Sequence, residues 1–314
     1  MKKIENIIFI RTPVFAVPSL EKLAESEYKP IVCITQPDRR KGRGKKYKAP
    51  PVKIAAENYN IPILQPKNVN SSIDEIEKFN PDIIVTVAYG GYIKRKLRKL
   101  PELGILNLHP SLLPKYRGAA PINFALFNGD EITGNTIFKL KARMDAGPIL
   151  LQSKMKIDNE DYYTRLSKKL AEKGANDLLK ALRMIESDQA IFEKQDETKA
   201  TYSRKLNKTD MIIDWNKSAV NIDNLIRGLA VKPGAVSFFR NKRIKIIKGN
   251  VLAKNSVSKP GEVIASDKNG ITVATGTNNY LIKELQPSGK KVMEAAAYNL
   301  GARIEKGELF RNQS

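Results

Sequence analysis

The 314-residue sequence contains one histidine, one cysteine and one tryptophan, and these scarcities exclude several kinds of site. A single cysteine, Cys33, excludes an internal disulfide, and one cysteine with one histidine argues against a structural zinc site. Cys33 lies inside an apolar run, so we expect a small buried core residue. No window approaches the roughly 18 apolar residues of a membrane span, and the N-terminal apolar run is too short for a signal peptide. Composition therefore predicts a cytoplasmic protein with neither a membrane segment nor a metal.

Acidic residues are also scarce: the sequence has 33 acidic and 55 basic side chains, and the formal net charge is +22. That sign and size favour a polyanionic partner, with nucleic acid first. The alternative is a lysine-rich composition without a binding role. Residues 211–314 carry 17 basic and 8 acidic side chains, against 38 and 25 in residues 1–210. The last third of the chain therefore has the higher net positive charge per residue.

The only histidine, His109, lies in the least generic stretch of the chain, residues 107–121. Histidine is the default proton handler near neutral pH. Asn107 stands two residues earlier, so on an extended backbone both side chains point to one face, and Pro110 biases His109 toward that conformation. The alternative is a histidine at a strand end whose ring is hydrogen-bonded to a backbone carbonyl.

Asp145 supplies a carboxylate just before the Gly147-Pro148 turn. An acid beside an imidazole would fix its orientation and favour its charged form. Asn107, His109 and Asp145 together make a donor, a proton handler and an orienter, with no nucleophile among them. That set suits direct acyl-type transfer to the substrate's own amine. Asp145 alone could equally be an ordinary turn former.

Unbroken apolar strands alternate with helices through the first two thirds of the chain. We predict strands at 7–10, 31–35, 82–88 and 105–109. The helices are expected at 15–24, 52–58, 71–79, 119–127 and 161–186. This alternation predicts an α/β, Rossmann-like parallel sheet covered on both faces, with His109 at a strand's carboxyl end. No G-x-G-x-x-G or Walker A pattern is present, so a nucleotide cofactor is not supported.

The polar stretch after the long helix predicts a linker. Beyond it the sequence pattern changes from alternating strands and helices to short strands separated by turn residues. We expect a catalytic domain at 1–188, a linker at 189–208 and a second domain at 209–314. The second domain begins with a helix around 222–229. Short strands with turn signals follow it, at 235–239, 244–247, 262–264, 270–274 and 280–285. This pattern predicts a small OB-like β-barrel, and its basicity suggests nucleic-acid binding.

Several motifs resemble those of the methionyl-tRNA formyltransferase family over essentially the whole chain. They are Thr12-Pro13, residues 15–20, Thr35-Gln-Pro-Asp-Arg39 with the basic 41–46, Ala88-Tyr-Gly90, residues 107–114, 116–121, 128–130 and 145–150. The Asn-x-His-Pro-Ser-Leu-Leu-Pro segment is shared by 10-formyltetrahydrofolate enzymes generally, and the basic insert is more specific to the tRNA branch. One departure is Arg11, which stands where the family usually has glycine.

The resemblance implies catalytic roles for Asn107, His109 and Asp145. It implies that a second set of residues lines the site of 10-formyltetrahydrofolate, with a cis peptide before the proline: Tyr89, Ser111, Leu112, Leu113 and Pro114. It further implies that Arg43, in its basic loop, enters the acceptor arm of the tRNA. The basicity of the predicted barrel separately suggests that its cations hold the tRNA backbone. The tRNA-binding candidates are Lys41, Arg43, Lys45, Lys46, Arg243 and Lys245.

The leading hypothesis is transfer of the formyl group of 10-formyltetrahydrofolate to the α-amine of methionine on initiator methionyl-tRNA, by a monomeric enzyme of translation initiation. Asn107 would donate to the formyl oxygen, and His109 would stabilise that oxyanion or move the amine proton. Asp145 would orient His109 and raise its basicity. One alternative keeps the chemistry but uses a sugar amine, glycinamide ribonucleotide or water as acceptor. Another is a catalytically silent RNA-binding protein.

Overall fold

The computed structural model describes residues 3–41, 46–254 and 257–313. The chain divides into two compact units. Unit 1 comprises Met1–Pro121, Ile132–Lys156 and Ser167–Arg204, and unit 2 comprises Ile122–Glu131, Ile157–Leu166 and Lys205–Ser314. Residues 189–204 thus belong to unit 1. The domain boundaries expected at 188 and 208 stay a prediction.

Unit 1 is built on a seven-stranded sheet. Its strands are β1 Ile7–Ile10, β2 Val32–Ile34, β5 Ile63–Leu64, β6 Ile83–Val87, β7 Ile105–His109, β9 Ile132–Lys139 and β10 Ile149–Lys156. Two short pairs lie apart from it, β3 Arg39–Lys41 with β4 Lys46–Lys48 and β8 Arg117–Gly118 with β11 Tyr202–Ser203. The helices with most of their length in unit 1 are α1 Val17–Ala24, α2 Pro51–Asn58, α3 Ile73–Glu77, α4 Arg95–Lys99 and α6 Tyr163–Glu186.

The strand order of the large sheet is β10-β9-β7-β6-β1-β2-β5. The five strands from β7 to β5 are parallel, whereas β9 runs antiparallel to β7 and β10 antiparallel to β9. Every residue of β1, β2, β6 and β7 is buried, as expected for aliphatic strands covered on both faces. The predicted Rossmann-like parallel sheet is therefore confirmed. Cys33 is fully buried in β2, and burial raises the pKa of its thiol to about 12.

The elements of unit 1 that were not foreseen are the helix α4, the long strands β9 and β10, and the short strands β3, β4, β5, β8 and β11. In β9 the buried residues include Thr133, Asn135 and Thr136, so its core face does not look apolar. The Asn135 side chain donates to the carbonyl of Leu170 at 2.9 Å, which satisfies a polar group inside the core. A strand that buries hydrogen-bonded polar side chains carries no hydrophobic periodicity, and this is why sequence patterning misses it.

Unit 2 contains an antiparallel sheet and three helices. Its strands are β12 Ala235–Phe239, β13 Lys242–Leu252, β14 Val263–Asp267, β15 Gly270–Ala274, β16 Asn279–Pro287, β17 Met293–Glu294 and β18 Phe310–Arg311, and its helices are α5 Pro121–Phe127, α7 Ala219–Leu229 and α8 Ala295–Ala302. Of the helices, α7 and α8 pack against the sheet. The strand order is β14-β15-β16-β13-β12-β18, with β17 on β16. A bridge between Glu262 and Leu309 joins the starts of the two outermost strands. The sheet is therefore curled, and the predicted barrel-like second fold is confirmed.

The core of unit 2 is aromatic at one end of the curled sheet. Trp215, Phe239 and Phe310 stack at ring-centroid distances of 5.8 and 4.7 Å. The Trp215 indole N–H donates to the Ser237 hydroxyl at 3.0 Å, so its polar group is satisfied in the interior. No helix among the described residues is long and apolar enough to cross a membrane.

Candidate active site

The strand order reverses beside β1, because β2 lies on one side of it and β6 on the other. In open α/β sheets ligands bind outside the carboxyl ends of the strands at such a switch. We call this region, formed by the carboxyl ends of β1, β6 and β7, the β1–β6–β7 edge. It places Arg11, Tyr89 and His109 at the ends of three neighbouring strands.

Asn107 is 1 % exposed on β7, where its neighbour on β6 is Thr86. The Thr86 hydroxyl lies 2.8 Å from the Asn107 side-chain oxygen and 3.0 Å from the carbonyl of Leu106. Because the hydroxyl can donate to the amide oxygen, the Asn107 oxygen is the acceptor on that side. The NH2 group is consequently the end that Asn107 can present to a ligand oxygen.

His109 is 3 % exposed, and its ring is held from one side by the main chain. Nε2 lies 2.9 Å from the carbonyl oxygen of Tyr116. A carbonyl only accepts, so the proton of the neutral ring is on Nε2 and the lone pair is on Nδ1. The ring is thus hydrogen-bonded to a backbone carbonyl, as a histidine with a purely structural role would be. Its Nδ1 nevertheless carries a lone pair that can accept a proton.

Asp145 lies in the turn between β9 and β10, residues 140–148, which we call the Asp145 turn. Its Oδ2 accepts from the backbone N–H of Gly118 at 2.7 Å and lies 3.8 Å from Nδ1 of His109. The turn must be tight, because a Cβ at Gly147 would lie 1.8 Å from the Lys139 carbonyl oxygen. The structure therefore brings His109 and Asp145 together, at ion-pair rather than hydrogen-bond distance for the neutral ring.

The Ser-Leu-Leu-Pro segment follows His109 and is fixed by polar side chains of β9 and β10. The Thr136 hydroxyl donates to the Ser111 carbonyl at 2.7 Å and lies 3.1 Å from the N–H of Leu113, which donates to it. Gln152 donates to the Leu113 carbonyl at 2.7 Å. The Leu113–Pro114 peptide is cis, as predicted. This part of the backbone is therefore anchored without any ligand.

The sequence matches two family models, "Formyl transferase" over residues 3–182 and "Formyl transferase, C-terminal domain" over residues 205–303. A methionyl-tRNA formyltransferase of Syntrophus aciditrophicus is 40 % identical over 307 residues, covering 97 % of this chain and 98 % of that protein. The chain belongs to the methionyl-tRNA formyltransferase family. Its relative of the same name from Clostridium tetani is 40 % identical over 308 residues, covering 97 % and 99 %.

Solved structures with this fold include other formyltransferases. WlaRD, a sugar 3N-formyl transferase crystallised in the presence of dTDP and 5-N-formyl-THF, superposes with a TM-score of 0.67 at 20 % identity. The match covers 92 % of this chain and 100 % of the WlaRD chain. At this identity the likeness establishes the two-part fold, and the family assignment rests on the closer sequence relatives.

Two further residues of the expected folate site are Tyr89, which follows β6, and Leu112, which lies within the segment. Tyr89 is half-buried at the end of β6, where burial raises the pKa of its phenol and the cationic Arg11 partly opposes that rise. Leu112 is also half-buried, and a Cβ at Gly134 would lie 2.6 Å from its Cδ2. Tyr89 thus lies at the same edge as His109, on the neighbouring strand.

The basic residues expected to bind tRNA in this family fall into two groups. Lys41 and Lys46 are paired residues of the β3–β4 hairpin, while Arg43 and Lys45 lie outside the described residues. On that hairpin, Arg40 lies over the ring of Tyr47, which is 67 % exposed, at 5.3 Å. An exposed aromatic ring on a basic hairpin is a typical surface for single-stranded nucleic acid.

Arg243 and Lys245 lie two residues apart on β13, so their side chains share one face of that strand. The residues between and after them, Ile244 and Ile246, are buried on the other face. Burial lowers the pKa of Lys245, and the positive charges of Arg243 and Lys232 lower it further. Three cations therefore lie close together in unit 2, which creates a positive field for an anionic ligand.

Sequence patterning missed the residues that hold the site in shape. Thr86 and Thr136 look like ordinary strand residues, and the Tyr116 carbonyl carries no sequence signal at all. Arg117 is fully buried, and its partners Gln195 and Glu197 come from the stretch assigned to a linker. The arginine inside the 116–121 motif is the one sequence signal that could have prompted a search for an acidic partner, because an arginine is rarely buried unless it is paired.

Proposed function

We propose that this protein transfers the formyl group of 10-formyltetrahydrofolate to the α-amino group of methionine on initiator methionyl-tRNA, for translation initiation. The observation that carries the proposal is the approach of Asp145 to His109, with Asn107 two residues away on the same strand, in a chain of this family. Relatives at about 40 % identity over nearly the whole chain bear that activity in their name. We place it in the cytoplasm and expect a monomer, by the same reasoning from composition and family.

The hydroxyls near His109 support direct attack by the substrate amine. The Ser111 hydroxyl donates to the Lys115 carbonyl, and the Thr136 hydroxyl donates to the Ser111 carbonyl. A hydroxyl whose proton is committed to a carbonyl, away from a base, is not activated as a nucleophile. The acceptor's amine is then the group that attacks.

The residues at the edge fit a formyl donor. A buried amide donor, an imidazole with a free lone pair and a carboxylate are the groups that polarise a carbonyl and take up a proton. Among the described residues no group of three or more His, Cys, Asp or Glu side chains could hold a metal ion. When bound, 10-formyltetrahydrofolate supplies the formyl carbonyl and the nitrogen that leaves it. Tyr89, Ser111, Leu112, Leu113 and Pro114 are the residues that we expect to hold it.

Asn107 is the donor that we assign to the formyl oxygen. Its oxygen faces the Thr86 hydroxyl, so its NH2 group is the only end that can turn to a substrate oxygen. The strand backbone and this hydrogen bond hold the donor in place before substrate arrives. A pre-oriented donor stabilises negative charge as it develops without reorganising at that moment.

The geometry favours proton uptake over oxyanion stabilisation as the role of His109. The Nε2 proton is committed to the Tyr116 carbonyl, and a neutral ring has no second proton to donate. Nδ1 is free to accept the proton that the attacking amine loses. Asp145 Oδ2, 3.8 Å away, then faces a positive ring and stabilises it as an ion pair.

Single-turnover formylation of charged initiator tRNA tests the proposed function directly. We expect formylmethionyl-tRNA to form with 10-formyltetrahydrofolate, and we expect 5-formyltetrahydrofolate to raise the melting temperature of the protein. Sugar amines, glycinamide ribonucleotide and water serve as competing acceptors. Turnover of one of those without formylation of tRNA would replace the acceptor, whereas RNA binding with no folate stabilisation would indicate a silent RNA-binding protein.

We further propose that Arg243 and Lys245 hold the tRNA backbone without reading its sequence. Changing both to glutamine should weaken binding of all tRNAs alike and reduce the slope of log affinity against log salt by about 1 or 2. Filter binding across a salt series measures both quantities. Lys268→Gln with Lys306→Gln removes the same charge from two exposed turns of unit 2 and serves as the control. Equal slope changes in the two double variants would show that total charge alone matters.

Arg43 has a different expected role, argued from sequence because it lies outside the described residues. A guanidinium can bind phosphate or base edges bidentately, which a lysine cannot do. We therefore expect Arg43→Ala and Arg43→Lys to lower kcat/KM for initiator tRNA, with smaller effects on bulk RNA affinity and none on folate binding. Lys41, Lys45 and Lys46 would add charge around it. Equal losses of kcat/KM for initiator and elongator methionine tRNAs would mean that the loop binds tRNA only through its positive charge.

A further inference from the structure

Residues 189–204 have a polar composition, yet they belong to unit 1 and reach the candidate active site. Gln195 contacts the backbone of the Asp145 turn, whereas Glu197 and Tyr202 of the same segment contact only its Arg143 side chain. We propose that Gln195 is a positioning residue for Asp145, acting through the backbone of that turn and anchored by the buried Arg117. The role rests on the proposed function, since it deepens the part played there by Asp145.

The Gln195 side chain binds two backbone carbonyls of the turn with one amide group. Its Nε2 donates to the carbonyl oxygen of Asp145 at 2.8 Å and to that of Gly147 at 2.7 Å. Both protons of the NH2 group are thus used on carbonyls two residues apart. This bidentate contact fixes the direction of two peptide planes, and with them the position of the Asp145 Cα and side chain.

Asp145 needs such support because its backbone has a φ of +49°, in the left-handed region that non-glycine residues rarely adopt. Its carboxylate is also held, by the N–H of Gly118 at 2.7 Å. Backbone and side chain are therefore restrained from two directions. Loss of either contact would let Oδ2 move from its place 3.8 Å from His109 Nδ1.

Arg117 fixes the Gln195 side chain by binding its amide oxygen. Its side chain is 0 % exposed, and Nε and Nη2 donate to the Gln195 side-chain oxygen at 3.1 and 2.7 Å. Two further bonds of 3.0 and 2.9 Å go to the two carboxylate oxygens of Glu197. The guanidinium thus fixes which end of the Gln195 amide is the oxygen and turns the NH2 group toward the Asp145 turn.

Arg117 is linked to Asp145 by two routes, through the Gln195 side chain and along the chain through Gly118. Arg117 is followed directly by Gly118, whose N–H binds Asp145 Oδ2, so one arginine supports both restraints on Asp145. No polar atom of Gln195 is left to reach substrate, because its oxygen and both amide protons already have partners. Its effect on turnover must therefore pass through Asp145.

Gln195→Glu tests the proposal with a nearly isosteric change. The variant keeps an oxygen for Arg117 but replaces the NH2 donor with a second oxygen that repels the carbonyls of Asp145 and Gly147. We expect kcat to fall about 10-fold to 100-fold, as a displacement of the order of 1 Å would cause, while both KM values stay within about threefold. Gln195→Met, which keeps the length without any hydrogen bond, provides a second measurement should the added charge hinder folding.

The deciding measurement is a double-mutant cycle with Asp145→Asn, in single-turnover reactions with radiolabelled formyl donor. If Gln195 acts through Asp145, adding Gln195→Glu to Asp145→Asn should cost no more than about threefold further. Gln189→Ala, a glutamine change at an exposed position of the same segment, should leave turnover unchanged. Melting temperatures of all variants separate misfolding from misplacement.

Three outcomes would overturn the proposal: wild-type kcat in both Gln195 variants, losses that multiply in the cycle, or losses that follow the unfolded fraction. Failure of the underlying function has a different signature. In that case the wild type and Gln189→Ala form no formylmethionyl-tRNA either, whatever the Gln195 variants do. Normal turnover in these two proteins with a selective loss in the Gln195 variants supports both the function and the positioning role.

Discussion

Replacing His109 with alanine should lower kcat by about 10²–10⁴-fold while folate and tRNA binding persist, because proton uptake by a positioned base contributes in that range. The change removes the lone pair at Nδ1 that faces Asp145. It also removes the buried hydrogen bond to the Tyr116 carbonyl, at a cost of about 1–3 kcal/mol to stability. Rates should therefore be measured well below the melting temperature of the variant, with wild type at the same temperature.

His109→Gln separates the two functions of the ring. A glutamine amide can still donate to the Tyr116 carbonyl, but it cannot take up a proton. We expect it to recover stability relative to alanine and to remain as inactive. Near-normal turnover in His109→Gln would mean that His109 only donates a hydrogen bond to the Tyr116 carbonyl and has no catalytic role.

The parallel half of the sheet could be predicted closely because its strands are aliphatic and sharply bounded. Strand β7 begins after Gly104, whose φ is +85°, and ends before Pro110, so both ends carry a local signal. Strands β1 and β7 are found with the predicted bounds. His109 at a carboxyl end follows from these local facts alone.

The meeting of His109 with Asp145 could not be predicted from spacing. It depends on β9 lying antiparallel beside β7, which places Thr136 opposite His109, and on the β9–β10 turn folding back to that edge. Strand β9 buries polar residues, so its hydrophobic pattern gave no indication of where it lies. Long-range pairing of this kind is a property of the tertiary fold, which local propensity does not determine.

The segment 189–208, predicted from its composition to be a linker, makes contacts that its composition does not indicate. Two of its polar residues, Gln195 and Glu197, bind the buried Arg117, and Gln195 also binds the carbonyls of a tight turn. The same composition is typical of a solvated linker, and only the location of Arg117 distinguishes the two.

Replacing Asn107 with alanine should lower kcat by about 10²–10³-fold, since it removes one pre-oriented donor to a developing oxyanion. The effect should fall on kcat more than on the affinity for folate, because the donor matters most when negative charge has formed. Stopped single-turnover formylation, together with equilibrium binding of 5-formyltetrahydrofolate, measures the two quantities separately. An increase in KM without a loss of kcat would instead assign Asn107 to ground-state binding.

Thr86→Val provides a graded control for the same donor. Valine keeps the shape of threonine but cannot donate to the Asn107 oxygen, so the amide loses the bond that orients it while remaining in place. We expect a smaller loss than for Asn107→Ala, and almost no further loss when Thr86→Val is added to Asn107→Ala. The double variant Asn107→Ala with His109→Ala should likewise be little worse than the poorer single variant, because donor and base act on one step as a unit. Independent, multiplying losses would mean that the two side chains serve different steps.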